Sequence, residues 1–128
     1  MRPLQKQSLL VVEDDYMLAS DLTRQLTEAG AAVLGPAATE SQALDILQTT
    51  RPDAAVLDLN LRGEVSWAIA DTLLQRGIPF VFASAYDCAI LPPRFAHIPF
   101  VEKPCTHRAL MIALLSGRPD FNARDISA

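Results

Sequence analysis

The sequence predicts an α/β fold in which helices cover both faces of a doubly wound, five-stranded parallel sheet. Five short apolar runs alternate along the 128 residues with segments in which apolar residues recur at helical spacing. The runs are continuously apolar, as in strands buried on both faces, and the connections between them are short. Such strict alternation favours right-handed crossovers and one parallel sheet, so we expect a single domain over residues 1–128.

The first strand and helix form the most regular pair. The run Ser8–Val12 is apolar and stops abruptly at Glu13, so the strand is expected to end in acidic residues. Over residues 16–29 the apolar positions recur every three or four residues, which predicts an amphipathic helix with Gly30 as its C-terminal cap. Asp15 stands where a carboxylate caps the free N–H groups of this helix, and we leave it out of the candidate site.

The second and third strands are separated by a capped helix. A weaker strand, AAVLG, leads to Gly35 and Pro36, and Thr39 or Ser41 can cap the helix that follows. The third strand, AAVLDL, is apolar except for Asp58, and it runs into the polar turn NLRGE. An unpaired charge inside a buried strand is costly, so a functional role is favoured for Asp58. The next helix is expected to pass through Trp67, Ala70 and Leu74.

The last part of the chain supplies two more strands and a helix. IPFVFASA predicts the fourth strand, IPFVEKP a short fifth strand, and residues 106–115 the last helix. Between the two strands, Pro92 and Pro93 interrupt the fourth helix. The core is expected over residues 8–116, followed by a flexible polar tail. The aromatic residues of this half are expected to pack in the core: Trp67, Phe80, Phe82 and Phe95.

Composition argues against several classes of function. A net charge of −4, a pI near 5.0 and scattered arginines argue against direct binding of nucleic acid. No apolar stretch approaches the roughly 20 residues of a membrane helix, and the polar start lacks the apolar core of a signal peptide. Cys88 and Cys105 match neither a metal motif nor a disulfide framework, and both are expected to be reduced. We therefore expect a cytoplasmic protein.

Candidate site residues follow four of the predicted strands. In an open parallel sheet the ligand site lies beyond the carboxyl ends of the strands. The side chains at those ends are three acids, a hydroxyl and a lysine: Glu13, Asp14, Asp58, Ser84 and Lys103. Crowded carboxylates repel one another unless a cation neutralises them, and an all-oxygen ligand set favours Mg²⁺ over zinc. The implied ligand is a phosphate group, and the lysine can neutralise the negative charge that develops on it during transfer.

Taken singly, these residues have ordinary structural explanations. Glu13 or Asp14 can be a solvated loop acid, and Ser84 can bond to neighbouring backbone. Lys103 before Pro104 can be an exposed lysine in a turn. Their convergence on one edge of the sheet is what favours a function.

The motifs VVEDD, VLDLNLRGE, FVFASAY and FVEKP, in this order, resemble the receiver domain of bacterial two-component response regulators in its single-domain form. The likeness extends over about residues 9–115 and implies the flavodoxin-like strand order 2-1-3-4-5. It also implies a signalling module that is not an enzyme, beyond its own phosphotransfer and autodephosphorylation. The fourth helix departs from the common pattern, and so does the short segment between the third and fourth strands. A subgroup of short bacterial receivers is similar through RGIPFVFAS and LPPRF.

The resemblance implies a metal site and an acceptor. Asp58 is implied as the phosphoryl acceptor and as a metal ligand, and Asp14 as a direct ligand of Mg²⁺. Glu13 would act largely through metal-bound water, and Asn60 would offer its backbone carbonyl.

The resemblance also implies a switch. Ser84 would bind a phosphoryl oxygen and Lys103 would form a salt bridge to the phosphoryl group, while Ala85 keeps the approach open. Phe100 stands in the place of the switch aromatic, and the Lys103–Pro104 bond is expected to be cis.

The implied mechanism is attack by Asp58 on the phosphohistidine of a sensor histidine kinase or a histidine phosphotransfer protein. The signal would pass to an unknown downstream protein, and a homodimer is compatible with the sequence. Two alternatives stay open: a binding scaffold that works without phosphorylation, and a Mg²⁺-dependent phosphohydrolase that uses Asp58 and Asn60 as a DxN motif. A dinucleotide-binding domain is excluded because EDDYML supplies carboxylates where a pyrophosphate needs glycines.

Overall fold

The computed structural model describes residues 4–62, 64–65, 67–85, 88–104 and 106–115, with only the backbone of residues 64, 88 and 107. The predictions for the polar tail, for Cys105 and for the side chain of Cys88 lie outside the described residues.

The main sheet is parallel and has five strands in the order β2-β1-β3-β6-β7. Its strands are β1 (Ser8–Val12), β2 (Ala32–Ala37), β3 (Ala54–Leu57), β6 (Phe80–Ser84) and β7 (Phe100–Glu102). Two shorter strands, β4 (Asn60–Leu61) and β5 (Glu64–Val65), form a separate antiparallel hairpin in the segment that was predicted only as a polar turn. When this hairpin is set aside, the strand order is the expected 2-1-3-4-5.

Helices and turns connect the strands. The helices are α1 (Tyr16–Glu28), α2 (Glu40–Thr49), α3 (Ala68–Gln75) and α4 (His107–Leu115). Asp15 caps α1 by accepting a hydrogen bond from the Leu18 N–H at 3.1 Å. The proline-broken segment contains two 3₁₀ turns, Cys88–Ile90 and Pro93–Phe95, because proline lacks the N–H that a longer helix needs. Among the described residues, no helix has both the length and the apolar character needed to cross a membrane.

Side chains of the strands alternate between the two faces of the sheet, and each face has its own apolar core. On one face, Leu10 and Val12 belong to a core shared with α2 and α3. On the other, Leu9 and Val11 belong to a core shared with α1 and α4. Strands that are buried on both faces have few polar positions, which is why they appear in the sequence as nearly continuous apolar runs.

The aromatic residues form one connected cluster on the face of α3. Phe82 and Phe95 are fully buried with ring centroids 5.8 Å apart, and Phe80 contacts both rings edge-on. The half-buried Trp67 stacks on Phe95 at 5.6 Å. The prediction that these four rings pack in the core is confirmed.

Strand register brings the first two acidic segments together. Val12 of β1 pairs with Leu57 of β3 in parallel register. The residues that follow, Glu13 and Asp58, therefore leave the sheet side by side.

The guanidinium of Arg76 caps the C-terminal end of α2. It donates to the carbonyl of Leu47 at 2.6 Å and to that of Thr50 at 3.2 Å, two groups near a helix end that lacks intrahelical donors. Since hydrogen bonds from charged donors contribute more than neutral ones, we expect Arg76→Met to lower the free energy of unfolding by about 2 kcal/mol in urea titrations. The control Arg24→Gln removes only exposed ion pairs and should leave the free energy of unfolding nearly unchanged. Equal losses in the two variants would contradict the capping role.

Candidate functional site

The last two strands bring a hydroxyl and an ammonium group to the edge where Glu13 and Asp58 lie. Ser84 is the last residue of β6 and pairs with Glu102, the last residue of β7, so Lys103 is the first residue beyond the sheet. The Lys103 N–H donates to the Ser84 carbonyl at 2.8 Å. All four predicted strand-end segments therefore meet at one edge.

Lys103 joins the acids that follow β1 and β3. Its Nζ donates to Glu13 Oε1 in a short contact and to Asp58 Oδ2 at 2.9 Å. The side chain of Lys103 is 18% exposed, that of Glu13 5% and that of Asp58 9%. Burial alone would lower the pKa of Lys103, but its hydrogen bonds to the two carboxylates and their charges outweigh burial and raise it. Lys103 is therefore held as an ammonium between two carboxylates.

Glu13 is a carboxyl group that its surroundings make reluctant to ionise. Its pKa is raised to about 7, first because burial strips water from the charged form and further because Asp58 lies beside it. The contact with Lys103 acts in the opposite direction without cancelling the rise. One ammonium group is thus not enough to neutralise this part of the site.

Glu13, Asp14 and Asp58 form a carboxylate cluster in which one oxygen of each lies within 4.8 Å of the others. Oxygen-only ligand sets suit hard cations such as Mg²⁺ and Ca²⁺, whereas zinc sites usually include nitrogen or sulfur ligands. The chemistry of the donors and the excess of negative charge therefore both fit the predicted Mg²⁺.

Two backbone N–H groups of the β4–β5 hairpin hold carboxylates of the cluster. The N–H of Asn60 donates to Asp58 Oδ1 at 3.0 Å, and the N–H of Arg62 donates to Asp14 Oδ2 at 2.7 Å. The side-chain Oδ1 of Asn60 is buried without a hydrogen-bond partner among the described residues. That the Asn60 carbonyl binds the metal stays a prediction.

The two predicted switch residues occupy different surroundings. Ser84 is fully buried at the end of β6, where its carbonyl accepts the Lys103 N–H, and Ala85 after it is exposed. Phe100 is half-buried at the start of β7, with its ring centroid 6.1 Å from that of Phe82, so it extends the aromatic core. The Lys103–Pro104 peptide bond is cis. The roles of Ser84 and Phe100 in switching stay predictions.

Two local features of the chain were not predicted. One is the hairpin, in which Arg62 has a φ of 56°; the glycine within NLRGE is the turn signal for it in the sequence. The other is the cis bond between Gly35 and Pro36. Gly35 has a φ of 94°, and a Cβ there would lie 2.7 Å from the backbone N of Ala37, so only glycine fits.

The raised pKa of Glu13 predicts a pH dependence of stability in the absence of divalent cations. A group whose pKa is higher in the folded state contributes stability at low pH and loses it as the pH rises through the folded value; for Glu13 this window runs from 4.5 to about 7. As the pH rises across this window, the wild type should lose stability and Glu13→Gln should not. We therefore expect the difference between their free energies of unfolding to change by roughly 2–3 kcal/mol in favour of Glu13→Gln. Urea titrations at stepwise pH measure it.

The exposed Glu28 provides the matched control, since Glu28→Gln should follow the wild-type curve at every pH. Parallel curves for the wild type and Glu13→Gln would contradict the raised pKa.

Sequence comparison finds similarity to signalling proteins. No protein-family model matches the chain. It is 38% identical over 82 residues to the sensory transduction protein LytT of Bacillus cereus, over 61% of this chain and 33% of LytT. The chain thus spans about a third of the length of the curated relatives it matches.

Structure comparison finds the same fold in solved proteins. SdrG from Sphingomonas melonis Fr1 is 35% identical, with a TM-score of 0.74 over 90% of this chain and 99% of that chain. The non-phosphorylated HemR receiver domain from Leptospira biflexa is 27% identical, with a TM-score of 0.71 over 84% of this chain and 90% of that one. A response regulator protein from Burkholderia pseudomallei, with a phosphorylated aspartic acid, a calcium ion and citrate, is 20% identical. Its TM-score is 0.77, over 94% of this chain and 70% of that chain. At that identity the likeness shows the fold.

Proposed function

Since this chain belongs to the family of response-regulator receiver domains, we propose that it is a phospho-acceptor switch that carries its phosphoryl group on Asp58 with the help of Mg²⁺. The observation that supports this best is the contact of the Lys103 Nζ with both Asp58 and Glu13, next to a third carboxylate. An acceptor oxygen, a fixed ammonium and a cation-binding cluster are the parts that phosphoryl transfer requires.

The chain's own residues would hold the cation. Asp14 and Asp58 are the proposed direct ligands, the backbone carbonyl of Asn60 is a third, and Glu13 would act through metal-bound water. When bound, Mg²⁺ would neutralise the carboxylates and the oxygens of the incoming phosphoryl group. The structure of the Burkholderia pseudomallei response regulator contains both a phosphorylated aspartic acid and a calcium ion, which supports an acceptor aspartate and a divalent cation in this fold.

Asp58 is held as the nucleophile by its neighbours. The Asn60 N–H fixes Oδ1, and the Lys103 Nζ contacts Oδ2. In the proposed step, a carboxylate oxygen of Asp58 bonds to phosphorus while the bond from phosphorus to the imidazole nitrogen of the donor phosphohistidine breaks. The imidazole keeps the electron pair and takes up a proton from solvent, and Lys103 offsets the charge on the phosphoryl oxygens.

The acyl phosphate would then shift the protein between two conformations. It adds negative charge next to Lys103, which can leave Glu13 for a phosphoryl oxygen, and Ser84 can donate its hydroxyl to another. A rotamer change of Phe100 would pass this rearrangement to the surface. The proposed partners are a sensor histidine kinase or histidine phosphotransfer protein as donor and a downstream protein as receiver of the signal.

Intact mass spectrometry after incubation with acetyl phosphate or phosphoramidate tests the proposal. We expect a single phosphate adduct that forms in Mg²⁺ and is absent in EDTA. A folded protein that gains no adduct would instead support the phosphorylation-independent binding scaffold. Sustained turnover of a generic phosphoester would support the phosphohydrolase.

A further inference from the structure

Asp14 differs from the other carboxylates of the cluster in how it is held. The ammonium group of Lys103 forms ion pairs with Glu13 and Asp58, and none with Asp14 occurs among the described residues. Among these same residues, the one hydrogen bond that Asp14 accepts comes from the backbone N–H of Arg62, at 2.7 Å to Oδ2. The orientation of this carboxylate therefore depends on the β4–β5 hairpin.

The remaining oxygen of Asp14 is available to a ligand. Of the six carboxylate oxygens in the cluster, five accept a hydrogen bond from a described residue, and Asp14 Oδ1 is the sixth. A cation can bind Oδ1 without displacing any of these contacts. The affinity of the site for a cation should therefore depend strongly on the position in which Asp14 Oδ1 is held.

The conformation of Arg62 places its N–H in reach of Asp14. Leu61 pairs with Glu64, and Arg62 directly follows β4 at the turn of the hairpin. Its φ of 56° lies in the left-handed region that residues other than glycine rarely adopt, although two-residue hairpin turns often require it. The turn links two residues that are 48 positions apart in the sequence. Unfavourable backbone conformations persist where the surroundings hold them, often at functional sites.

We infer that Arg62 is a positioning residue for the cation site: its backbone N–H fixes the Asp14 carboxylate with Oδ1 presented to the cation. The inference rests on the proposed function for the cation itself. Partners that orient a metal ligand typically contribute a factor of 10 to 100 in metal affinity. By reciprocity, a bound cation stabilises the hairpin, which leads through Trp67 into α3.

Replacing the backbone N–H of residue 62 by an ester oxygen, in the full-length chain, tests the inference. The change removes the donor and keeps the Arg62 side chain, so we expect the Kd for Mg²⁺, from an NMR titration, to rise about tenfold. The matched control is Arg62→Gly, which keeps the N–H and adopts a positive φ readily; its Kd should stay within about twofold of the wild type. Thermal unfolding without Mg²⁺ shows whether each variant is folded.

The outcomes separate the inference from the proposed function. If the wild type binds no Mg²⁺, both are wrong. If the wild type binds but a folded ester variant binds equally well, or if Arg62→Gly loses as much affinity as the ester, only the inference is wrong. If the ester variant does not fold, hydrogen exchange of the Arg62 amide proton in the wild type tests the inference instead. This proton should exchange slowly with solvent without Mg²⁺, and more slowly with it; rapid exchange in both conditions would overturn the inference.

Discussion

Asp58→Asn is expected to abolish phosphoryl uptake from acetyl phosphate in Mg²⁺, on the time scale on which the wild type is fully labelled. An amide oxygen is a much weaker nucleophile than a carboxylate oxygen, and the substitution also removes one negative charge from the cation cluster. The variant should still fold, because Lys103 keeps its contact with Glu13. Intact mass measures the adduct, and peptide mapping of the wild type locates it.

Asp45→Asn is the matched control for this experiment. Asp45 lies on the exposed face of α2, so the same chemical change there should leave labelling at the wild-type rate. Labelling of Asp58→Asn at the wild-type rate and at the same peptide would show that the acceptor assignment is wrong.

Lys103→Met should lower the free energy of unfolding by about 3 kcal/mol near pH 8 without Mg²⁺, since removing one member of a buried charge group leaves the others uncompensated. The methionine keeps most of the side-chain volume but leaves Glu13 and Asp58 buried next to each other. The loss should be smaller near pH 5, where Glu13 can take up a proton. Urea titrations at the two pH values measure the difference.

The double variant Lys103→Met/Glu13→Gln shows whether charge is the cause. Removing a second charge should restore part of the lost stability, so the two substitutions should be strongly non-additive. Additive losses, or a loss that does not change with pH, would indicate that Lys103 acts through packing. We also expect Lys103→Met to impair the conformational response more than the labelling of Asp58.

Much of the site could be predicted because the ends of the strands and the polarity of the residues that follow them are encoded locally in the chain. Buried parallel strands produce continuous apolar runs, and the residue after each run lies at the carboxyl edge of the sheet. For this reason Glu13, Asp58, Ser84 and Lys103 could be placed at one edge from the sequence alone. The N-terminal cap of α1 could be predicted for the same reason, because Asp15 and the N–H that it accepts from are three residues apart.

The contacts within the site depended on the tertiary structure. A lysine before a proline has the same local sequence whether it is exposed in a turn or, like Lys103, bound to two carboxylates from other strands. Likewise, the pKa of Glu13 is raised by burial and by Asp58, which is 45 positions away in the sequence. Neither effect can be read from the residues around Glu13.

The sequence by itself determined the fold class and the edge of the sheet at which the polar residues meet, because both follow from hydrophobic pattern and chain direction, whereas the strand order came from the resemblance to a known family. Only the tertiary structure decided which oxygen each donor contacts. The β4–β5 hairpin has strands of two residues, too short for any periodic signal, and Arg62 reaches Asp14 through a backbone N–H. Every residue except proline has such a donor, so its partner is settled by where the folded chain places it.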